Sequence, residues 1–274
     1  MCFRGTMSMH RIASWVGTLA FLPALGAIFV VFDLAQRAAR LVGQRPQEHV
    51  ATALQMSIVG ALRLCNIRVL VERAPGLRPD GRYVIVSNHQ SMLDIPILGT
   101  LFRRSFPKYI SKRSLGRYIP SVSYNLRRGG HALIDRGDTG GSIEVIRRLG
   151  ERVNRREVSA VIFPEGTRAR QGQLGDFRRG GTLTLLEAAP EAPVVPVTID
   201  ESWKLLRHNM FPLPWGVRVR VAVGEPIARR PDEDRDALVD RVRGVMEQTL
   251  AGWRNEGPGH RKTACAEILT APRP

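Results

Sequence analysis

The stretch "NHQSMLD", residues 88–94, sets His89 five positions before Asp94, directly after the β-branched run "YVIVS" (83–87). A histidine with a carboxylate in reach is a general base with its orienter. The same spacing also fits two unrelated loop residues, and it does not choose between them. Ser91 inside the stretch invites a Ser-His-Asp reading. It lacks the Gly-x-Ser-x-Gly elbow that exposes a nucleophilic serine, so it reads as a helix cap. More residues able to do chemistry stand where other apolar runs end: Lys112 after "PKYIS", Asp135 and Arg136 after "GGHALID", and Glu165, Gly166, Thr167 and Arg168 after "VIFP". In an open α/β sheet, ligands collect at the carboxyl ends of the strands. His89, Asp94, Lys112, Arg136, Glu165 and Arg168 are therefore expected to face one cleft, with one histidine base and several fixed cations. No metal is implied, because His89 has no second ligand at useful spacing. The cysteines, Cys2, Cys65 and Cys265, are scattered and show no metal spacing.

The elements that would hold these residues alternate. Strands are expected at 67–72, 83–87, 107–111, 129–135, 158–164, 192–199 and 216–224. Helices are expected at 94–102, 117–124, from Asp138 or Thr139 to about Val153, 181–189 and 234–250, the last with Leu238, Val242, Val245 and Leu250 inward. Such alternation predicts an α/β sandwich: a central, mostly buried sheet flanked by helices. The chain divides into an N-terminal helical segment (1–65), an α/β domain (66–252) and a loose polar tail (253–274).

Charge narrows the partners. The 274 residues carry 41 Lys plus Arg against 25 Asp plus Glu, a formal net charge of +16, which favours anionic surfaces and ligands. Nucleic acid is disfavoured: aromatic residues make up only 6%, and none interleave with the basic clusters as stacking platforms do. Residues 12–32, "IASWVGTLAFLPALGAIFVVF", carry no charge and lie between basic flanks. Four readings fit: a spanning or re-entrant anchor, an in-plane membrane helix, a cleaved signal peptide, or a buried helix. Residues 49–64 are amphipathic and fit either the second arm of a membrane hairpin or a helix covering the core.

Four blocks then occur in one order: Asn88-His89-x4-Asp94; Lys112 through Gly130 to Asp135-Arg136; the complete "FPEGTR" of 163–168, followed by "FRRGG" at 177–181; and "VVPVTI" at 194–199. With these blocks, residues 65–227 resemble the glycerolipid acyltransferases of the 1-acylglycerol-3-phosphate (lysophosphatidate) acyltransferase family. The resemblance implies an α/β acyltransferase core, often with an N-terminal two-helix membrane element. It also implies transfer of an acyl chain from a thioester, acyl-CoA or acyl carrier protein, to a lysophospholipid hydroxyl at the cytoplasmic face of the cell (inner) membrane. No cofactor is implied beyond that thioester. His89 would be the base and Asp94 its orienter. Arg168 and Arg136 would bind the acceptor phosphate with help from Lys112. Glu165 would orient Arg168 or bond a glycerol hydroxyl, Gly166 and Thr167 would complete that block, and Pro196 would line the cleft. Oxyanion donors are expected among backbone N–H groups after Asp94 or in the Glu165-Gly166 turn. Competing readings are a related enzyme using another lysolipid or glycerol-3-phosphate, and a basic membrane- or nucleic-acid-binding protein.

Overall fold

The computed structural model describes residues 3–117, 119–135, 137–169, 171–229, 233–255 and 266–269, with side chains from Met9 onward. Arg136 therefore lies outside the described residues, as do Cys2 and Cys265.

Short β-branched runs make the centre of the molecule. Strands β1 (Arg68–Arg73), β2 (Val84–Ser87), β3 (Pro107–Lys112), β4 (Ala132–Ile134), β5 (Ser159–Ile162), β6 (Val194–Asp200), β7 (Arg218–Val223) and β8 (Ala266–Glu267) form one sheet in the order β4-β3-β5-β2-β6-β7-β1-β8. From β4 to β6 all neighbours run parallel, and Val86 is paired with Ile162 on one side and Pro196 on the other. β7 runs antiparallel to β6, and β1 parallel to β7. The carboxyl ends of β4, β3, β5, β2 and β6 thus share one edge. β2 and β5 are buried at every position, as strands covered on both faces must be. Their side chains alternate between two cores: Ile85 and Val161 point into one, Val84, Val86, Ala160 and Ile162 into the other.

Helices cover both faces. On one lie α1 (Phe3–Val42), α2 (Gln44–Ala61) and α3 (Asp94–Leu101); on the other lie α5 (Thr139–Asn154), α6 (Arg179–Ala188) and α7 (Arg235–Asn255). α4 (Val122–Arg128) follows β3. α5 starts where Asp138 accepts the Gly141 N–H at 2.9 Å, an ordinary N-cap. α3 tolerates Pro96 because it lies in the first turn. α4 begins five residues later than expected, since Pro120 and Ser121 (φ 66°) interrupt the backbone. In α7, Met246 rather than Val245 is fully buried.

α2 covers the core: Leu54, Ile58, Val59 and the following Leu62 are buried in the same cluster as Ile85 and Val195. Its Glu48 pairs with Lys108 of β3 at 2.6 Å, both nearly without exposure. Burial alone would raise the Glu48 pKa. The charge and hydrogen bond of Lys108, with Gln44 and Arg45, outweigh it and hold Glu48 below its ordinary value. α1 is one continuous helix through Pro23, and Met9–Val42 is long and apolar enough to cross a membrane. It is fastened along its length: Ser14 Oγ accepts the Trp215 N–H at 3.0 Å, Thr18 Oγ1 the Leu213 N–H at 2.8 Å, and Gln36 Nε2 donates to Ser121 Oγ at 2.6 Å. Gly17 permits the close approach, because a Cβ there would stand 2.9 Å from the Leu64 carbonyl oxygen. The other face leaves Ile12, Val16, Leu19, Val30, Val31 and Leu34 exposed. The tail is not wholly loose: Ala266–Glu267 pair with β1, and Ile268 is buried.

Candidate active site

At the end of β2 the chain turns and α3 begins. Leu93 is the helix N-cap. Asp94, fully buried, folds its carboxylate back onto the turn, where Oδ2 accepts the backbone N–H groups of Gln90 at 2.7 Å and Ser91 at 2.8 Å. The same oxygen meets His89 Nδ1 at 2.9 Å. An ionised carboxylate only accepts, so Nδ1 carries the proton and Nε2 keeps a lone pair. The imidazole retains 16% of its exposure and stacks on Phe163, with centroids 4.2 Å apart. The sequence expectation for Ser91 is corrected here. Its hydroxyl accepts the Leu93 N–H at 3.2 Å within the turn, one step before the helix, and no side chain caps α3.

The turn after β5 grips the histidine from the other side. Phe163 accepts the Gly166 N–H at 3.0 Å, closing a β-turn with Pro164 at its second position. Gly166 has φ +65°, where a side chain would strain the backbone. Glu165 is buried, and its carboxylate accepts the His89 N–H at 2.8 Å through one oxygen and the Gly175 N–H at 2.9 Å through the other. Burial keeps its pKa above the ordinary value despite those two bonds. Ala169 N–H completes the grip on the His89 carbonyl at 2.7 Å. The orienting of Arg168 expected of Glu165 is corrected: it makes no ion pair with Arg168 and braces the backbone of His89, a use invisible when only its charge is known. The Gly166 N–H is likewise engaged by Phe163.

The cations spread along the same sheet edge. Lys112 ends β3, and Thr167 and Arg168 follow β5 by a few residues, all three exposed. Among the described residues, Lys112 and Arg168 have no carboxylate partner. Arg136, two positions beyond Ile134 of β4, is outside the described residues. Pro196 is corrected too: it is buried within β6 and packs against Gly224, whose N–H bonds its carbonyl at 2.9 Å. It shapes the sheet rather than lining a cleft.

The sequence reading gave no role to Asn88, although it named it, and missed Ser202. Asn88 bridges β2 and β6, donating to the Ile199 carbonyl at 2.8 Å and accepting the Ile199 N–H at 2.7 Å. Ser202 donates to Asp94 Oδ1 at 2.6 Å. The available signal was positional: Ser202 stands two residues past the end of β6, as His89 stands two past the end of its neighbour β2. A second half-buried histidine shows the contrast. His131 Nδ1 accepts the Tyr109 N–H at 3.0 Å, and burial, then Lys108 and Arg152, lower its pKa to about 3. That ring is a neutral structural acceptor.

Comparison with known proteins shows the family. A family model described as "Acyltransferase" matches residues 68–200, which contain both the β2 turn and the β5 turn. The chain is 31% identical over 209 residues to the 1-acyl-sn-glycerol-3-phosphate acyltransferase alpha of Mus musculus, covering 75% of this chain and 72% of that protein. The protein belongs to the 1-acyl-sn-glycerol-3-phosphate acyltransferase family. A further member, 1-acyl-sn-glycerol-3-phosphate acyltransferase beta of Homo sapiens, is 32% identical over 169 residues, 61% of this chain and 59% of its own. A solved structure shares the fold over most of the chain. The crystal structure of the 1-acyl-sn-glycerophosphate acyltransferase of Thermotoga maritima superposes with a TM-score of 0.73 at 20% identity, over 92% of this chain and 100% of that one. That likeness is one of fold: a mixed sheet flanked by helices.

Proposed function

We propose that this protein transfers an acyl chain from an acyl thioester, acyl-CoA or acyl carrier protein, to the sn-2 hydroxyl of 1-acyl-glycerol-3-phosphate, giving phosphatidate. The observation that carries the reading is the contact of His89 Nδ1 with Asp94 Oδ2 at 2.9 Å, because it leaves Nε2 as the basic nitrogen at the edge of the sheet. An alcohol is a weak nucleophile until its proton is removed during attack, and an imidazole suits that task near neutral pH. The hydroxyl proton passes to Nε2 as the oxygen bonds the thioester carbon. The tetrahedral intermediate collapses with cleavage of the carbon–sulfur bond, and the departing sulfur takes the proton from the imidazolium.

Direct transfer, with no acyl-enzyme, is supported by the placement of two side chains that could otherwise be acylated. The Ser91 hydroxyl is buried and turned to the Leu93 N–H. Cys65 is buried in the core, where its thiol is pushed up to about 11, far from the thiolate form a nucleophile needs.

Arg168, Arg136 and Lys112 are the phosphate-binding side chains in this reading, with guanidinium forks matching phosphate oxygens in pairs. A terminal phosphate monoester carries up to about two negative charges near neutral pH. Several cations at one sheet edge suit that group better than a zwitterionic head. The apolar outer face of α1, on a helix fastened along the body, supports an in-plane seat on the cytoplasmic leaflet of the cell membrane. Competition between acceptors tests the substrate: lysophosphatidate is acylated far faster than lysophosphatidylcholine or glycerol-3-phosphate at equal concentration. Preference for either of the others contradicts it.

A further inference from the structure

The Asp94 carboxylate is loaded unevenly. Oδ2 receives three donors, His89 Nδ1–H and the N–H groups of Gln90 and Ser91, while Oδ1 receives the Ser202 hydroxyl at 2.6 Å. Both residues are fully buried, so water does not replace a lost partner. We infer that Ser202 is a positioning residue for acyl transfer: it fixes the plane of the Asp94 carboxylate, and Asp94 thereby fixes the imidazole of His89.

The torsion that turns a carboxylate is broad, and the three donors on Oδ2 restrict it from one side only. The donor on Oδ1 holds the same plane from the other side. Ser202 has a single proton and two acceptors in range, Asp94 Oδ1 at 2.6 Å and Gln90 Oε1 at 3.4 Å. The short bond to the charged acceptor takes it. The serine is itself held in place. It begins the helical turn Ser202–Leu206 after Glu201, whose φ is +71°. Asp200 Oδ1 accepts the Glu201 N–H at 2.8 Å and meets Gln90 Nε2 at 3.3 Å. β6 thus delivers Ser202 to the carboxylate just as β2 delivers His89. Its burial and its bond to Asp94 separate it from any reacting atom, so it acts through Asp94 and not on substrate.

This inference rests on the acyl-transfer reading, and the experiment separates the two. Purified full-length protein is assayed with lysophosphatidate and an acyl-CoA as wild type, Ser202→Ala, Ser202→Thr and His89→Ala, with rates normalised to the folded fraction from thermal melts. Ser202→Ala is expected to lower kcat about 10- to 100-fold, the range for a lost hydrogen bond to a charged group, with both KM values unchanged. Ser202→Thr, which keeps the hydroxyl, is expected to restore most of the rate. Wild-type kcat in Ser202→Ala, or an equal loss in Ser202→Thr, overturns the positioning role. Inactive His89→Ala beside fully active Ser202→Ala overturns this inference alone, active His89→Ala overturns the reading of His89 as the base, and a wild type that acylates no lysophosphatidate overturns the acyl-transfer reading beneath both.

Discussion

Glu165 Oε1 accepts the backbone N–H of His89 at 2.8 Å, joining residues 76 positions apart in the chain. The bond ties the turn after β5 to the turn after β2, and the stacking of Phe163 on the imidazole reinforces it. Glu165→Ala leaves two backbone N–H groups, those of His89 and Gly175, without their buried acceptor. The expected result is a kcat lower by about 10- to 100-fold, in line with a misplaced reacting group, and an acceptor KM close to wild type. Steady-state kinetics checks it. A large rise in acceptor KM at constant kcat would instead make Glu165 a substrate ligand.

Arg168 and Arg136 are expected to act on the acceptor alone. Replacement of either by Ala raises the KM for lysophosphatidate by roughly 10- to 100-fold, as for a hydrogen bond to a charged group, while the KM for the acyl donor stays put. Arg168→Lys recovers only part of the affinity, since a point charge lacks the fork. Kinetics with each substrate varied in turn separates the two effects, and equal effects on both substrates contradict the assignment.

The exposed face of α1 is expected to hold the protein on anionic bilayers. From Ile12 to Leu34 it runs about 33 Å at 1.5 Å per residue. Changing Val16, Leu19, Val30 and Val31 to Glu removes apolar contact and adds repulsion without touching the buried face. Flotation with vesicles containing phosphatidylglycerol should find wild type bound and the variant free, with both folded by circular dichroism. Retention of the folded variant on vesicles would contradict the in-plane seat.

The Glu48–Lys108 pair makes a pH prediction. Glu48 has a folded pKa below its ordinary 4.5, so it stabilises the fold fully above that pH. The contribution is lost as pH falls below 4.5 through the lowered value. Glu48→Gln leaves Lys108 buried without its carboxylate and costs roughly 3 kcal/mol at pH 7, the low end for a broken buried pair, because Lys108 can shed its proton. Urea unfolding at pH 7 and pH 4 checks this. The gap between wild type and variant should narrow at pH 4, and a constant gap contradicts the coupling.

Much of the fold was legible because its strands are brief, apolar and β-branched: "VIVS" and "SAVI" admit little else, and His89 and Asp94 follow directly from where the first ends. The N-terminal helices were harder. Hydropathy shows that residues 12–32 avoid water, but not that Ser14, Thr18 and Gln36 fasten one face to the body. At the site, charge was visible and burial was not, so Glu165 read as a ligand until its two backbone bonds appeared. Pro196 had the converse fault, since an apolar residue in a named block reads as cleft wall until the sheet encloses it. Ser202 carries no motif at all. Only the parallel pairing of β2 with β6 brings it to Asp94.

The central claim is that His89, oriented by Asp94, is the base for direct acyl transfer. Single-turnover reaction of purified protein with radiolabelled acyl-CoA, with and without lysophosphatidate, tests it most directly. Wild type is predicted to form labelled phosphatidate only when acceptor is present and to hold no label on the protein after denaturation. His89→Ala is predicted to be slower by about 10²–10⁴-fold, the usual worth of a general base. Label bound covalently to the protein and chased into phosphatidate, or a His89→Ala variant at wild-type rate, would contradict the claim.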